Sequence, residues 1–294
     1  MRTSARITGV VILVLLLITI SIWYAAIRED RRGTLTVSFL DIGQGDSIFI
    51  DSPSGRQVLI DGGPDASVLR RLPQVMPLYD HSIDVVIGTH PDSDHIAGLI
   101  DVLQRYDVSY VVQSSVLGST PTWNAFEDAI KADQKKGTRV ITAIRGQIID
   151  LGDGAYLEVL SPDRSLPHTD TNTACVVTRL VYGATSFMLP CDAPQDIEKY
   201  LVELASTPLG INDGSLHSTV LKAGHHGSKT ASSPLFVGEV DPEYAVYSRG
   251  CNNQYGFPDQ ETVQTFAKFG IPTFDTCKDG TVTFVSDGET VTRR

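Results

Sequence analysis

The sequence predicts an α+β fold: two mixed β-sheets packed face to face with helices on their outer sides, a four-layer αββα sandwich, preceded by one transmembrane helix. Three observations predict it. Strand-like runs come in groups with helical runs between the groups, in two halves divided near residue 165. Runs rich in His and Asp follow apolar strands in both halves, so ligands from the two halves would meet at one edge. Residues 9–27, ahead of everything else, form an uncharged stretch of nineteen residues rich in Val, Ile and Leu, long enough to cross a bilayer as a helix.

Arg2 and Arg6 precede that stretch, and Arg28, Glu29, Asp30, Arg31 and Arg32 follow it. The basic residues on its two sides are comparable, so the positive-inside rule assigns orientation by a small margin. The expected organisation is a short cytoplasmic N-terminus (1–8), a signal-anchor (9–27), a linker (28–33) and an extracytoplasmic domain (34–294). The alternative is a cleaved signal peptide, with Ala25-Ala26 as the nearest small-residue site, and a secreted domain. Either reading exports the domain.

The domain opens with β-branched runs at 34–40, 47–51 and 57–60, broken by Gly, Asp and Ser-Pro. Asp61-Gly62-Gly63-Pro64 reads as a turn. A strand at 84–88 leads into a ligand-rich run and then a helix over 95–106. A strand at 110–113 follows. Thr122 is the expected cap of a helix reaching 136, with Trp123, Phe126, Ala129 and Ile130 on one face. Strands are expected at 138–143, 147–150 and 156–160, then a connector over 161–171 and a hairpin of 174–182 with 185–189. A helix over 193–204, strands at 219–223 and 244–248, a helix near 258–268 and strands at 273–275, 281–285 and 290–292 complete the chain.

The formal net charge of −11 argues against duplex binding through a broad basic face. It leaves room for a nucleic acid held at a local site and a metal. None of the four cysteines sits in a CxxC pair, so a zinc knuckle is not expected. In an exported protein they can form disulfides. Cys175 and Cys191 lie on runs joined by a turn at Gly183 and can be neighbours; buried free thiols are the other reading.

Four of the seven histidines fall in two strand-end motifs. The first is His90-Pro91-Asp92-Ser93-Asp94-His95, with four potential metal ligands within six residues. The second is Gly224-His225-His226-Gly227, and Asp192 ends a third apolar strand. Asp92 or Asp192 alone would read as a helix cap. Together with the histidines they read as ligands, Asp192 as a carboxylate able to bridge two cations. Of His225 and His226, one is expected as a ligand and the other as its support or as a substrate contact. The metal set is therefore His90, Asp92, Asp94, His95, Asp192, His225 and His226, for one or two divalent ions, zinc or manganese.

These motifs resemble the metallo-β-lactamase superfamily, with Asp92 where a second His usually stands. Phe39-Leu40-Asp41-Ile42-Gly43-Gln44-Gly45-Asp46, Leu59-Ile60-Asp61-Gly62-Gly63, Leu221-Lys222-Ala223-Gly224-His225-His226-Gly227-Ser228, Asn172 and Asn253-Gln254-Tyr255-Gly256-Phe257-Pro258 extend the likeness to the soluble hydrolase domain of the ComEC family of DNA-uptake competence proteins. The resemblance runs from about residue 34 to the C-terminus. It departs at Cys191, where the family has Gly, and at Phe257, where the family has His.

The resemblance implies a metal-dependent phosphodiesterase acting on extracytoplasmic DNA, working beside a separate channel protein. Asp94 is the expected metal holder and proton acceptor. His226 and Lys222 are expected to meet charge on the phosphoryl oxygens. Two alternatives stand beside it. One is hydrolysis of another phosphodiester, such as phosphocholine or teichoic acid, or of a lactone or lactam. The other, motivated by Phe257, is a domain that binds without turnover.

Overall fold

A computed structural model describes residues 2–29, 33–77, 79–207 and 215–294. The chain divides into two compact units, Met1–Gly33 and Thr34–Arg294. Residues 30–32 of the expected linker lie outside the described residues, as does residue 1.

The first unit is the helix α1 (Arg2–Glu29). Its window Ile7–Tyr24 has a mean hydropathy of 2.5, and the side chains there are exposed on every side. A helix apolar all round has no polar face to turn to water, which suits a bilayer. The Thr19 and Ser21 hydroxyls donate back to the Leu15 and Leu17 carbonyls at 2.9 and 2.8 Å, the way a helix satisfies hydroxyls where water is absent.

In the second unit the chain forms β1 (Leu35–Phe39), β2 (Ile48–Asp51), β3 (Gln57–Ile60), α2 (Val68–Val75), β4 (Ser82–Gly88), α3 (Ser93–Arg105), β5 (Asp107–Gln113), α4 (Pro121–Gln134) and β6 (Arg139–Thr142). It continues through β7 (Ile148–Gly152), β8 (Ala155–Ser161), β9 (Val177–Tyr182), β10 (Thr185–Leu189), α5 (Gln195–Ala205), β11 (Val220–Lys222), α6 (Pro234–Val240), β12 (Tyr244–Tyr247), α7 (Gln260–Phe269) and β13 (Thr273–Asp275). After α8 (Thr276–Asp279) come β14 (Val282–Ser286) and β15 (Val291–Arg293).

The first sheet has the order β15-β14-β1-β2-β3-β4-β5-β6 and the second β13-β12-β11-β10-β9-β8-β7. Both are half antiparallel and half parallel: β3 to β6 run parallel in one, β10 to β13 in the other. Val37, Phe39, Ile50 and Ile87 of the first sheet meet Leu157, Leu180, Phe187 and Val246 of the second in a shared core. Phe284 on β14 is its aromatic hub, with ring centres 5.7–6.3 Å from Phe39, Phe187, Tyr244 and Phe274. Each such buried side chain contributes about 1.5–3 kcal/mol. On the outer face of the first sheet, Leu59, Val86 and Val111 pack on Leu72, Leu99, Phe126 and Ile130 from α2, α3 and α4. On the outer face of the second, Met188, Leu221 and Ala245 pack on Leu201, Val237 and Phe266 from α5, α6 and α7. The predicted αββα sandwich is the observed one.

Several details differ from the sequence expectation, among them the short helices α2 and α6, which it does not include. The chain changes sheet between β6 and β7, before residue 165, and its last two strands return to the first sheet. The cap of α4 is Thr120, whose hydroxyl accepts from the Trp123 amide at 3.1 Å. Thr122 cannot play that part because Pro121 already occupies the first helical turn, where a missing N–H is tolerated.

Candidate metal centre

All the His and Asp motifs stand beyond the C-terminal ends of parallel strands, the edge where open α/β sheets gather ligands. Asp61 follows β3, His90 follows β4, Asp192 follows β10, and His226 follows β11. Asp94 and His95 lie in the first turn of α3. The loop before β2 carries Asp46 onto this helix: its amide donates to the Asp94 carbonyl at 3.2 Å. Gly45 makes that approach possible. Its φ is +125°, and a Cβ there would stand 2.0 Å from the Asp94 oxygen.

Three histidines are oriented alike. His95 donates from Nδ1 to Asp61 at 2.8 Å, leaving Nε2 facing Asp192 at 3.3 Å. His226 donates from Nδ1 to the Ser248 carbonyl at 3.0 Å, leaving Nε2 3.3 Å from Asp192 and 3.4 Å from Asp94. His90 has Nδ1 beside the Thr89 hydroxyl at 3.1 Å and Cys191 Sγ at 3.3 Å, and its Nε2 lies 3.6 Å from Asp92. A partner on Nδ1 that turns Nε2 inward is how proteins set an imidazole for a metal. Asp61 serves as that partner only: the Thr89 amide and hydroxyl donate to its two oxygens at 2.9 and 2.7 Å.

The spacing of the inward atoms fits a cation. Ligands about 2.0–2.2 Å from a tetrahedral ion stand about 3.4 Å from one another, and three contacts have that spacing: Asp192 Oδ2 lies 3.3 Å from both His95 Nε2 and His226 Nε2, and Asp94 Oδ2 lies 3.4 Å from His226 Nε2. His90 Nε2, His226 Nε2, Asp192 Oδ1 and Asn172 Oδ1 are buried with no hydrogen-bond partner. Orphaned polar atoms of this kind ask for an ion or water. His90, His95 and Asp192 form one group able to hold a cation, and Asp94, His95 and His226 form another. Imidazole nitrogen with carboxylate oxygen suits zinc or manganese.

The charges agree. With the histidines counted neutral, as metal ligands are, Asp46, Asp61, Asp92, Asp94 and Asp192 face the single ammonium of Lys222, a formal excess equal to two divalent cations. Burial works against ionising Asp192 and Asp46. The charges of His226, His95 and Lys222 outweigh it at Asp192, as Lys222 and His226 do at Asp46, and hold both carboxyls below their usual range. Burial likewise opposes ionisation of Asp94, but the His226 hydrogen bond and the charges of His95 and His226 push it down to about 2. Burial would lower His95 and His226; the surrounding aspartates overcome it and raise both.

Asp92 occupies the N-cap position of α3 but makes no capping hydrogen bond, and its side chain turns to His90 instead. Asp192 is no cap either, since α5 begins three residues later behind Pro194. His226 is 1 % exposed and belongs to the ligand groups. His225 stands at the mouth, its Nδ1 3.2 Å from the Thr230 hydroxyl and its Nε2 3.7 Å from Asp192. Lys222, expected at a substrate phosphate, is fully buried. Its ammonium pairs with Asp46 and donates to the Cys191 carbonyl at 3.1 Å, so it acts as an internal counter-ion. Asp46, which stands outside the expected metal set, is placed in the wall by its pairing with Lys222. Cys175 pairs with Cys191, next to Asp192, and Cys251 pairs with Cys277.

Residues 56–198 match the family model of the beta-lactamase superfamily domain. The chain is 28 % identical over 265 residues to ComE operon protein 3 of Bacillus subtilis, an alignment covering 84 % of this chain and 32 % of that protein. It is 29 % identical over 249 residues to competence protein ComA of Neisseria gonorrhoeae, with the same coverage of 84 % and 32 %. The chain thus spans about a third of the length of these curated relatives. Among solved structures it resembles Igni18, a metallo hydrolase of Ignicoccus hospitalis, with a TM-score of 0.53 and 16 % identity over 85 % of this chain and 98 % of that one. It also resembles CmlA, a diiron β-hydroxylase of Streptomyces venezuelae, with a TM-score of 0.54 and 13 % identity over 88 % and 54 % of the two chains. The structural likenesses establish the fold, and the motif resemblance to the metallo-β-lactamase superfamily and to the competence proteins is borne out.

Proposed function

We propose, from the premise that residues 56–198 are a β-lactamase superfamily domain, that this chain is a metal-dependent phosphodiesterase that cuts DNA outside the membrane to which α1 anchors it. The observation that carries the reading is the 3.3–3.4 Å spacing of inward-facing imidazole and carboxylate atoms around Asp192. The DNA substrate and a separate channel partner are drawn from the likeness to competence proteins, and the membrane from α1.

Asp94, His95, Asp192 and His226 would hold one cation, and His90, Asp92 and Asp192 a second. Divalent cations there would make water nucleophilic near neutral pH and offset charge on a phosphoryl group. The protein's own part is positioning. Asp61 and the Ser248 carbonyl fix two rings, and Lys222 holds Asp46 and Asp192 in a buried wall. Asp94, with Oδ2 3.4 Å from His226 Nε2, sits among the atoms that would hold a cation and suits that part more than accepting a proton. His225, outside the ligand groups and open to solvent at the mouth, is placed to pass a proton at Nε2 between a leaving oxygen and water.

The test is cleavage of DNA by the purified full chain in detergent with manganese or zinc, beside Asp94→Ala. Cleavage by the parent that drops more than about 100-fold in the variant, beyond the usual effect of a residue that only orients a ligand, supports the reading. A parent that leaves DNA intact but hydrolyses a phosphocholine ester or a lactone moves it to the alternative substrates. Binding of DNA without any hydrolysis leaves the non-catalytic reading.

A further inference from the structure

From the metal centre a line of rings leads to solvent. His225 meets the Phe257 ring at 5.8 Å and 65°. Phe257 stacks on Tyr255 at 5.3 Å and 18°. Tyr255 is 56 % exposed and, among the described residues, meets no ring but that of Phe257.

The loop that carries these rings is fixed along its length. The buried Arg249–Asp275 pair, with contacts of 3.0 and 2.5 Å, and the Cys251–Cys277 disulfide hold its start. The Asn253 amide donates to the Gly250 and Phe257 carbonyls at 2.9 and 3.0 Å and accepts from the Phe257 amide at 2.9 Å. Asp259 closes the end, its amide donating to Gly227 at 2.9 Å and its carboxylate accepting from the Lys229 amide at 2.8 Å. An exposed aromatic face that is already ordered loses little freedom when a flat ligand covers it.

We infer that Tyr255, backed by Phe257, is a stacking surface for a nucleobase, so that the substrate is a single-stranded nucleic acid with its base on Tyr255 and a neighbouring phosphodiester at the metal centre. The inference rests on the phosphodiesterase reading and narrows it. A duplex keeps its bases covered by one another, whereas a single strand offers them to aromatic side chains. The net charge of −11 points the same way. With little general attraction for a phosphate backbone, base stacking adds affinity beyond what the metal centre gains from one phosphodiester. Phe257, where the family has an imidazole, is then the ring that supports the stack.

The experiment compares a single-stranded oligonucleotide with one of the same length that is abasic at every position, using the full chain and its Tyr255→Ala and Tyr255→Phe variants. Both cleavage and anisotropy-detected binding are measured. The parent should prefer the base-bearing strand. Tyr255→Ala should bring the ratio between the two strands toward one, by about 5- to 100-fold, the range of one base stack, with the change in KM rather than kcat. Tyr255→Phe should restore the parent ratio. A ratio unchanged in Tyr255→Ala, or a preference for duplex over single strand, overturns the inference while leaving phosphodiesterase activity standing. If the parent cuts nothing, that reading fails, and the binding ratio still decides the stacking: a preference lost in Tyr255→Ala and kept in Tyr255→Phe supports it, and none refutes it.

Discussion

Along the inner wall of the centre, Asp46, Asp61, His95, Lys222 and His226 are each 2 % exposed or less. At the mouth, the side chains of Asp92, Asp94 and His225 are 43, 30 and 28 % exposed. The wall is a closed network in which Asp61 and Lys222 meet charged or carbonyl partners. The mouth is held by contacts that water can reach, such as the Thr230 hydroxyl on His225. The difference teaches where errors are tolerated. A buried charge that loses its partner has no water to turn to, while a half-exposed group does.

Lys222→Met should show the largest effect. It leaves Asp46 and Asp192 buried without their ammonium, and breaking a pair of this kind costs about 3–5 kcal/mol. Thermal unfolding of the full chain reads the loss. Adding Asp46→Asn to the same chain should recover part of it, because one of the stranded charges is then gone. A Lys222→Met chain as stable as the parent would mean that the ammonium is not the wall's counter-ion.

The wall and the mouth were not equally legible in the sequence. His90, Asp92, Asp94 and His95 stand in one short run after an apolar strand, so their meeting follows from local spacing. Asp192 and His226 come from the other sheet; their strand-end positions and the resemblance to a family pointed to the meeting, and the sandwich brings them within 3.4 Å. Lys222 misled because a lysine beside two histidines reads as a phosphate contact. Its burial depends on the Asp46 loop, which is 176 residues away in the chain, and no local pattern reports that. Helices α2 and α6 escaped for a different reason. Both are short, α2 contains Pro73 and lacks a capping hydrogen bond, and α6 begins at Pro234. The stacked Tyr255 and Phe257 depend on the Asn253 bonds that shape their loop, which the motif does not reveal.

Two substitutions then compare wall and mouth directly, because each removes the partner of one imidazole Nδ1. Asp61→Asn takes a carboxylate from buried His95 and should weaken metal affinity about 10–100-fold, the usual effect of losing a histidine's orienting carboxylate. Titration of the metal against a chelator measures it. Thr230→Val takes a hydroxyl from His225. A neutral hydrogen bond is worth about 0.5–1.5 kcal/mol, and this one lies in reach of water that can replace it. The expected loss is therefore below about tenfold in cleavage, with metal affinity held, since His225 belongs to none of the groups among the described residues that could hold a cation. If Thr230→Val released metal as readily as Asp61→Asn, His225 would be a ligand and the mouth would be part of the wall. If it altered cleavage alone, the division holds: buried charges set the metal, and the open ring beside Phe257 handles what the metal acts on.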